Sequence, residues 1–245
     1  MATTYEGIYS QNNWTWSTIG TGMVGRHIYD IACARTYDAL AAGTDDGIYT
    51  YTGGYWLRRL FGGEDVLCME ALSREDEFWA ATGGAVGDRK LVYSDHENLW
   101  TDYEEIKPQT PQSFGKLVND IAAIFVTTAQ YGLYQSVYIA TETGLYLLNI
   151  QGVMSPLTMT EYIDFQDPDC PYETPFEYDT CIRSLDYYQS SSKSASRDIL
   201  VGTKRAVYLL TETRSDDRKH IVGITCTNIS DGTFWTDEAR AAFGE

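Results

Sequence analysis

A short strand-like phrase centred on a tyrosine recurs five times along the chain, as Gly7-Ile8-Tyr9, Gly47-Ile48-Tyr49, Leu91-Val92-Tyr93, Gly144-Leu145-Tyr146 and Ala206-Val207-Tyr208. Successive tyrosines lie 40, 44, 53 and 62 residues apart. A repeat near forty residues is one supersecondary unit that cannot bury its apolar surface alone and must stack against its neighbours. The lengthening spacings point to insertions in the later units.

Around each tyrosine phrase the same series of strands can be read. In the second unit it runs Ile28–Cys33, Ala39–Thr44, Gly47–Tyr51 and Tyr55–Leu60, and in the third Val66–Leu72, Phe78–Thr82, Leu91–Ser94 and Leu99–Tyr103. The fourth offers Val118–Ala123, Val137–Thr141 and Gly144–Leu148, the fifth Cys181–Leu185, Ile199–Thr203 and Ala206–Leu210. The first two strands of each unit are small and apolar, and the last two are polar and aromatic. Inner strands covered on both faces read as continuous apolar runs, whereas an outer strand meets water. Asp45-Asp46-Gly47, Gly53-Gly54, Gly83-Gly84 and Asp231-Gly232 supply tight turns. The expected fold is all-β, a β-propeller of five blades with four antiparallel strands each, forming one domain over residues 1–245. Gly7–Ser10 and Trp14–Ile19 match only the outer half of a blade, so Ile229–Trp235 are expected to help complete it from the other terminus. A competing arrangement has four full blades and spare strands that pair with another subunit. Thr236–Phe243 is expected to form at most a turn or two of helix.

Three hairpins carry a further pattern: Gly7-Ile8-Tyr9-Ser10 leading to Trp14, Leu91-Val92-Tyr93-Ser94-Asp95 leading to Trp100, and Ser230-Asp231-Gly232-Thr233-Phe234-Trp235. They resemble the Asp-box hairpins of sialidase-type and bacterial-repeat propellers, in which a Ser-x-Asp-x-Gly-x-x-Trp turn joins the outer strands. The resemblance implies a propeller fold and no particular activity, because the Asp-box is a structural turn.

Composition narrows the partners. Against 18 Lys and Arg stand 35 Asp and Glu, a formal net charge of −17, which argues against binding a nucleic-acid backbone. No apolar run has membrane-spanning length, and Met1-Ala2-Thr3-Thr4-Tyr5 lacks the basic and apolar segments of a secretory signal, so synthesis in a cytoplasm is expected. The five cysteines lack metal-ligand spacing. Cys33 and Cys68 occupy matching first-strand positions and read as small buried hydrophobes, while Cys170 and Cys181 bracket an acidic loop and would bridge only in an oxidising compartment.

That loop, residues 161–179, is the clearest insertion, with seven carboxylates and three prolines. Proline stiffness and aromatic area suit it to a partner surface, with Tyr162, Phe165, Tyr172, Phe176 and Tyr178 as contacts. Asp164, Asp167 and Asp169 lack the turn glycine of a calcium loop, so no metal or cofactor is expected. A second insertion, 189–197, is a polar hairpin. His27, His96 and His220 fit no catalytic spacing, and Arg58, Arg59, Arg89, Arg183 and Arg205 occupy different strand offsets, so no enzyme is expected. Two functions remain as expectations. The leading one is a structural subunit held by protein partners in a homo- or hetero-oligomeric assembly, a bacteriophage virion in a tail nozzle, hub, fibre-adaptor or capsid-decorating position. The alternative is a glycan-binding propeller lectin that stacks sugars on Trp14, Trp16, Trp56, Trp100 and Trp235.

Overall fold

A computed structural model describes residues 2–4, 7–12, 15–18, 20–34, 39–72, 77–94, 102–107, 114–128, 132–151, 158–172, 181–188, 196–217 and 219–230. The side chains of the first nineteen residues are not among those described. Among the described residues every regular element is a strand. A three-stranded sheet contains β1 (Ala2–Thr4), β2 (Gly7–Asn12) and β3 (Thr15–Thr18). Four four-stranded sheets follow: β4 (Ile28–Ala34) to β7 (Tyr55–Leu60), with β5 (Ala39–Thr44) and β6 (Gly47–Thr52) between them; β8 (Val66–Leu72), β9 (Glu77–Thr82), β10 (Leu91–Ser94) and β11 (Glu104–Glu105); β12 (Val118–Thr128), β13 (Gly132–Thr141), β14 (Gly144–Gln151) and β15 (Thr158–Asp164); and β16 (Ile182–Tyr188), β17 (Ser196–Thr203), β18 (Val207–Arg214) and β19 (Ile221–Asn228). Each is a meander with strands adjacent in chain order, the blade organisation of a propeller. The described residues form two compact units that divide at the Ala123–Ile124 step of β12.

In the first unit the middle strands β5 and β6 are buried on both faces along Leu40–Thr44 and Gly47–Thr50. Ala32, Ala41 and Ile48 pack with Val66, Met69, Phe78, Ala80 and Val92 of the next sheet. Leu40, Ala42, Tyr49 and Trp56 pack on the opposite face with Met23 and Ile28. Two-sided burial explains the continuous apolar runs of the second strands. A polar tie joins the inner strands: Asp30 accepts hydrogen bonds from its neighbour Ile31 N (2.7 Å) and, across the sheets, from Met69 N (2.8 Å).

A threonine closes the hairpin after the second strand in all four full sheets. Thr44 Oγ1 donates to Gly47 O (2.9 Å) and accepts from Asp46 N, and Thr141 does the same toward Gly144 O and Thr143 N. Thr203 repeats the arrangement with Ala206 O and Arg205 N, while Thr82 Oγ1 accepts from Lys90 N across a longer loop. Such hydroxyls stand in for backbone groups that the turn leaves without partners.

In the second unit β14 is buried along Gly144–Ile150, whereas β18 alternates, with Tyr208, Leu210, Glu212 and Arg214 buried and Val207 and Thr213 exposed. The buried face of β18 carries an ion pair, Arg214 Nε to Glu212 Oε1 at 2.5 Å, both side chains fully buried. Glu212 Oε2 accepts from Ser136 Oγ (2.6 Å) and Tyr138 OH (2.7 Å), and Arg214 Nη2 donates to Ser136 Oγ and to Asn149 Oδ1. Burial and the adjacent Glu212 push the Tyr138 phenol well above its ordinary value.

Several expectations are corrected by the structure. The third unit's outer strand is the two-residue β11, not Leu99–Tyr103; of that segment only Asp102 and Tyr103 are described, and neither is in a strand. The first sheet gains β1, which pairs with β2 in the register Ala2 to Tyr9. Ile229 N–H donates to Val207 O, so it prolongs the pairing of β19 with β18. Residues 231–235, and with them the closure of a fifth blade, lie outside the described residues, as does 236–243. Glu161–Asp164 belong to β15 and Ser196–Arg197 to β17, so both insertions are shorter than expected.

Candidate functional site

The expected contact residues scatter. Trp56 is 3% exposed and serves the core, its indole tilted against Tyr51 at 5.4 Å, so it presents no sugar platform. On the outer strand β7 Trp56 faces the core while its neighbours Tyr55 and Leu57 are exposed. Trp14, Trp100 and Trp235 lie outside the described residues, as does the Trp16 side chain. So do the turns of the three Asp-box-like hairpins. In the acidic loop Phe165 is buried at 7%, and its N–H donates to Leu145 O, which withdraws it from any partner surface. Tyr162 is half-buried and stacks on Tyr146, and Tyr172 donates to Ile221 O. Phe176 and Tyr178 lie outside the described residues. Asp164 and Asp167 accept from Gln166 N and Asp169 N within the turn. Among the described residues no group of three or more His, Cys, Asp or Glu is placed to hold a metal ion. Cys170 and Cys181 are free thiols.

A different cluster forms in the first unit, between the second and third units of the repeat. It begins at Asp46 in the β5–β6 hairpin. The carboxylate accepts from Tyr49 OH (3.1 Å), Arg58 Nη1 (3.0 Å to Oδ2) and Gly63 N (2.8 Å), and Arg26 Nη2 lies 2.8 Å away. Burial raises the Asp46 pKa, but the Gly63, Tyr49, Arg58 and Arg26 interactions together outweigh it and hold the carboxyl below its ordinary range. Burial and the hydrogen bond to Asp46 raise the Tyr49 phenol.

The bond to Gly63 clamps the turn that follows β7. Phe61 there adopts φ 57°, and Glu64 N donates to Phe61 O at 2.9 Å. A bulky residue at positive φ is strained, and such strain persists only where the surroundings over-determine it. Gly47 provides the necessary closeness: a Cβ on it would lie 2.1 Å from Leu60 O and 2.7 Å from Phe61 O. The strained turn holds the Phe61 ring 4.8 Å from Tyr103, tilted by 55°, with Lys90 Nζ 5.3 Å from the Phe61 centroid. Lys90 also pairs with Glu64 at 3.3 Å. Tyr103 is 37% exposed, and beside the cluster the loop Gly84–Asp88 is exposed throughout. Tyr103 is thus the exposed ring, while Phe61 is partly buried against the core, with Lys90 and Glu64 beside it. Such a set can stack on a planar or ring-shaped ligand and hydrogen-bond its hydroxyls. In the sequence, Gly62-Gly63 signals a turn after Phe61, but nothing local connects that turn with Lys90 or Tyr103.

No protein-family model and no curated protein matches the sequence. Solved structures do resemble it in fold. An auxiliary nutrient binding protein from Bacteroides thetaiotaomicron aligns with TM-score 0.50 at 12% identity, over 86% of this chain and 49% of that one. The Myceliophteria thermophila Cps50 (Swd1) β-propeller domain aligns with TM-score 0.47 at 14% identity, over 82% and 58%. SapL1 lectin, solved with α-methyl fucoside, aligns with TM-score 0.45 at 13% identity, over 92% and 75%. The chain spans about half to three-fifths of the length of the first two. At these identities the likeness is one of fold.

Proposed function

We propose that the chain is a non-catalytic binding module of propeller type that takes a carbohydrate at the Phe61–Tyr103 edge. The observation that carries this reading is the strained Phe61 turn, fixed by Asp46, which holds Phe61 against the exposed Tyr103 ring beside Lys90 and Glu64. Rings held rigidly lose little entropy on stacking, and the charged pair supplies a donor and an acceptor for sugar hydroxyls. A glycan-array screen of the full chain tests it. A defined sugar should bind to the wild type and be lost in Tyr103→Ala with the fold unchanged. A silent array, or binding that survives Tyr103→Ala, refutes the site.

A second reading, a structural subunit of a larger assembly such as a bacteriophage virion, is favoured by a separate observation in the second unit. Leu200 (39% exposed) and Val207 (40%) lie on the same side of the β17–β18 pair. Light scattering over a concentration series tests it: mass that rises with concentration supports it, and a monomer throughout counts against it.

A further inference from the structure

The chain contains two Asp-Gly steps, Asp46-Gly47 and Asp231-Gly232, and the first closes the β5–β6 hairpin. An aspartyl–glycyl bond is the step at which a chain isomerises most readily, because glycine has no Cβ to hinder its own nitrogen. The Gly47 amide nitrogen attacks Cγ of the protonated Asp46 carboxyl. A new C–N bond closes a succinimide ring, and the carboxyl hydroxyl leaves with the amide proton as water. Water then adds to one ring carbonyl. When the α-carbonyl C–N bond breaks, an isoaspartyl residue results, with the backbone one methylene longer and the α-carboxylate left free. One water leaves and one enters, so the mass is unchanged.

The fold opposes each part of that reaction. Ring closure needs a protonated carboxyl free to swing toward the Gly47 nitrogen. A carboxylate offers about four lone-pair sites, and here Oδ1 accepts from Gly63 N (2.8 Å) and Arg58 Nη1 (3.1 Å). Oδ2 accepts from Tyr49 OH (3.1 Å) and lies 2.8 Å from Arg26 Nη2. Burial alone would favour protonation, but the Gly63, Tyr49, Arg58 and Arg26 interactions outweigh it and keep the group ionised, the form that reacts least. The backbone is held on both sides of the step as well, since Thr44 Oγ1 accepts from Asp46 N (3.0 Å) and donates to Gly47 O (2.9 Å). Leu60 O and Phe61 O crowd Gly47, where a Cβ would lie 2.1 and 2.7 Å from them, so the glycine cannot swing that way. Among these ties the arginines are the most exposed, at 38% for Arg26 and 53% for Arg58. Exposed ion pairs hold weakly and open first.

We propose that Asp46-Gly47 is a site of spontaneous aspartate isomerisation, that Arg26 and Arg58 set its rate, and that reaction there releases the Phe61 turn. In the isoaspartyl form Cγ belongs to the backbone amide. The new carboxylate starts one carbon nearer the main chain, so it no longer reaches the donors that the side chain gathered. Gly63 N then loses its acceptor, and the positive φ of Phe61 loses the clamp that over-determines it. The modification is therefore irreversible damage to one hairpin, transmitted to the turn seventeen residues further on. It holds whatever the Phe61–Tyr103 edge binds.

The test incubates the full chain at neutral pH for several weeks and measures isoaspartate at residue 46 by peptide mapping, with a synthetic peptide of residues 41–52 as the unfolded reference. The folded wild type should isomerise at least tenfold more slowly than the peptide. Arg26→Met and Arg58→Met, shown to be folded by far-ultraviolet circular dichroism, should each isomerise at least threefold faster than the wild type. Urea below the unfolding midpoint should raise the wild-type rate, because modification follows the population of the opened hairpin. Hydrogen exchange on the isomerised fraction should show Gly63 and Glu64 N–H losing protection while the amides of β9 keep theirs. A wild-type rate equal to that of the peptide overturns the proposal, as do folded arginine variants that react no faster. If the arginine variants unfold, the urea series decides, and a rate that stays flat until global unfolding overturns it. Unchanged exchange at Gly63 after isomerisation overturns the release of the Phe61 turn.

Discussion

Exchanging Glu212 for glutamine keeps the side-chain shape but removes the carboxylate charge paired with the fully buried Arg214 guanidinium. Breaking a buried pair from one side costs about 3–5 kcal/mol, a large share of the roughly 5–15 kcal/mol that holds a domain folded. Tyr138→Phe is gentler. It removes one hydrogen bond to a charged acceptor, worth about 1.5–3 kcal/mol. The informative step repeats Tyr138→Phe in a background where Glu212→Leu and Arg214→Met have removed both charges. There the phenol has lost its acceptor, so deleting the hydroxyl should cost nothing or stabilise the protein. Urea unfolding gives each free energy from midpoint and slope. A Glu212→Gln cost below about 1 kcal/mol, or an equal Tyr138→Phe cost in both backgrounds, would refute the view that these side chains form one network.

Gly47→Ala forces a Cβ against Leu60 O and Phe61 O at φ 98°, and should cost at least about 2 kcal/mol; Gly53→Ala, also at positive φ but with open space around it, should cost about 1 kcal/mol in the same melts. Because the folded pKa of Asp46 is depressed, its contribution is fully present above the unfolded value of about 3.9 and is lost as pH falls through the lower folded value. The stability gap between wild type and Asp46→Asn should therefore be widest near neutrality and narrow below about pH 4 in thermal melts; a gap that does not change with pH would refute the assignment. Maleimide labelling followed by mass spectrometry should find the exposed Cys33 modified first, with Cys68, buried and pushed well above its ordinary value, protected until unfolding. Cys226, pushed up to about 12 by burial, should react slowly at pH 8.

The inner strands were legible in the sequence because two-sided burial leaves a local trace. Ala39–Thr44 has no polar alternation to confuse its reading, and the structure places β5 on those six residues. Outer strands carry a weaker trace. β15 merges into the acidic run at Glu161, and β11 is only two residues long, too short for any period. β19 was the one that could have been read, since Ile221-Val222-Gly223-Ile224-Thr225-Cys226-Thr227 is rich in β-branched residues. The candidate site was the least legible part. Phe61, Lys90 and Tyr103 meet only because sheets stack, and the positive φ of Phe61 is imposed by Asp46 and not by its own preference. Tryptophan abundance pointed instead to Trp56, whose size suits a core as well as a surface.

The threonine that shuts each hairpin separates the strands from whatever joins them. At Thr44 the enclosed link is Asp45-Asp46 and the hydroxyl donates to Gly47 O, while at Thr82 the link runs from Gly83 to Arg89 and the hydroxyl accepts from Lys90 N, so in both a threonine hydroxyl bonds the backbone where the next strand resumes. Loop length at this end is thus insulated from strand register. Foreign peptides should be insertable between Gly84 and Asp88 without disturbing the sheet beneath, which makes this loop a natural display position for grafted recognition sequences.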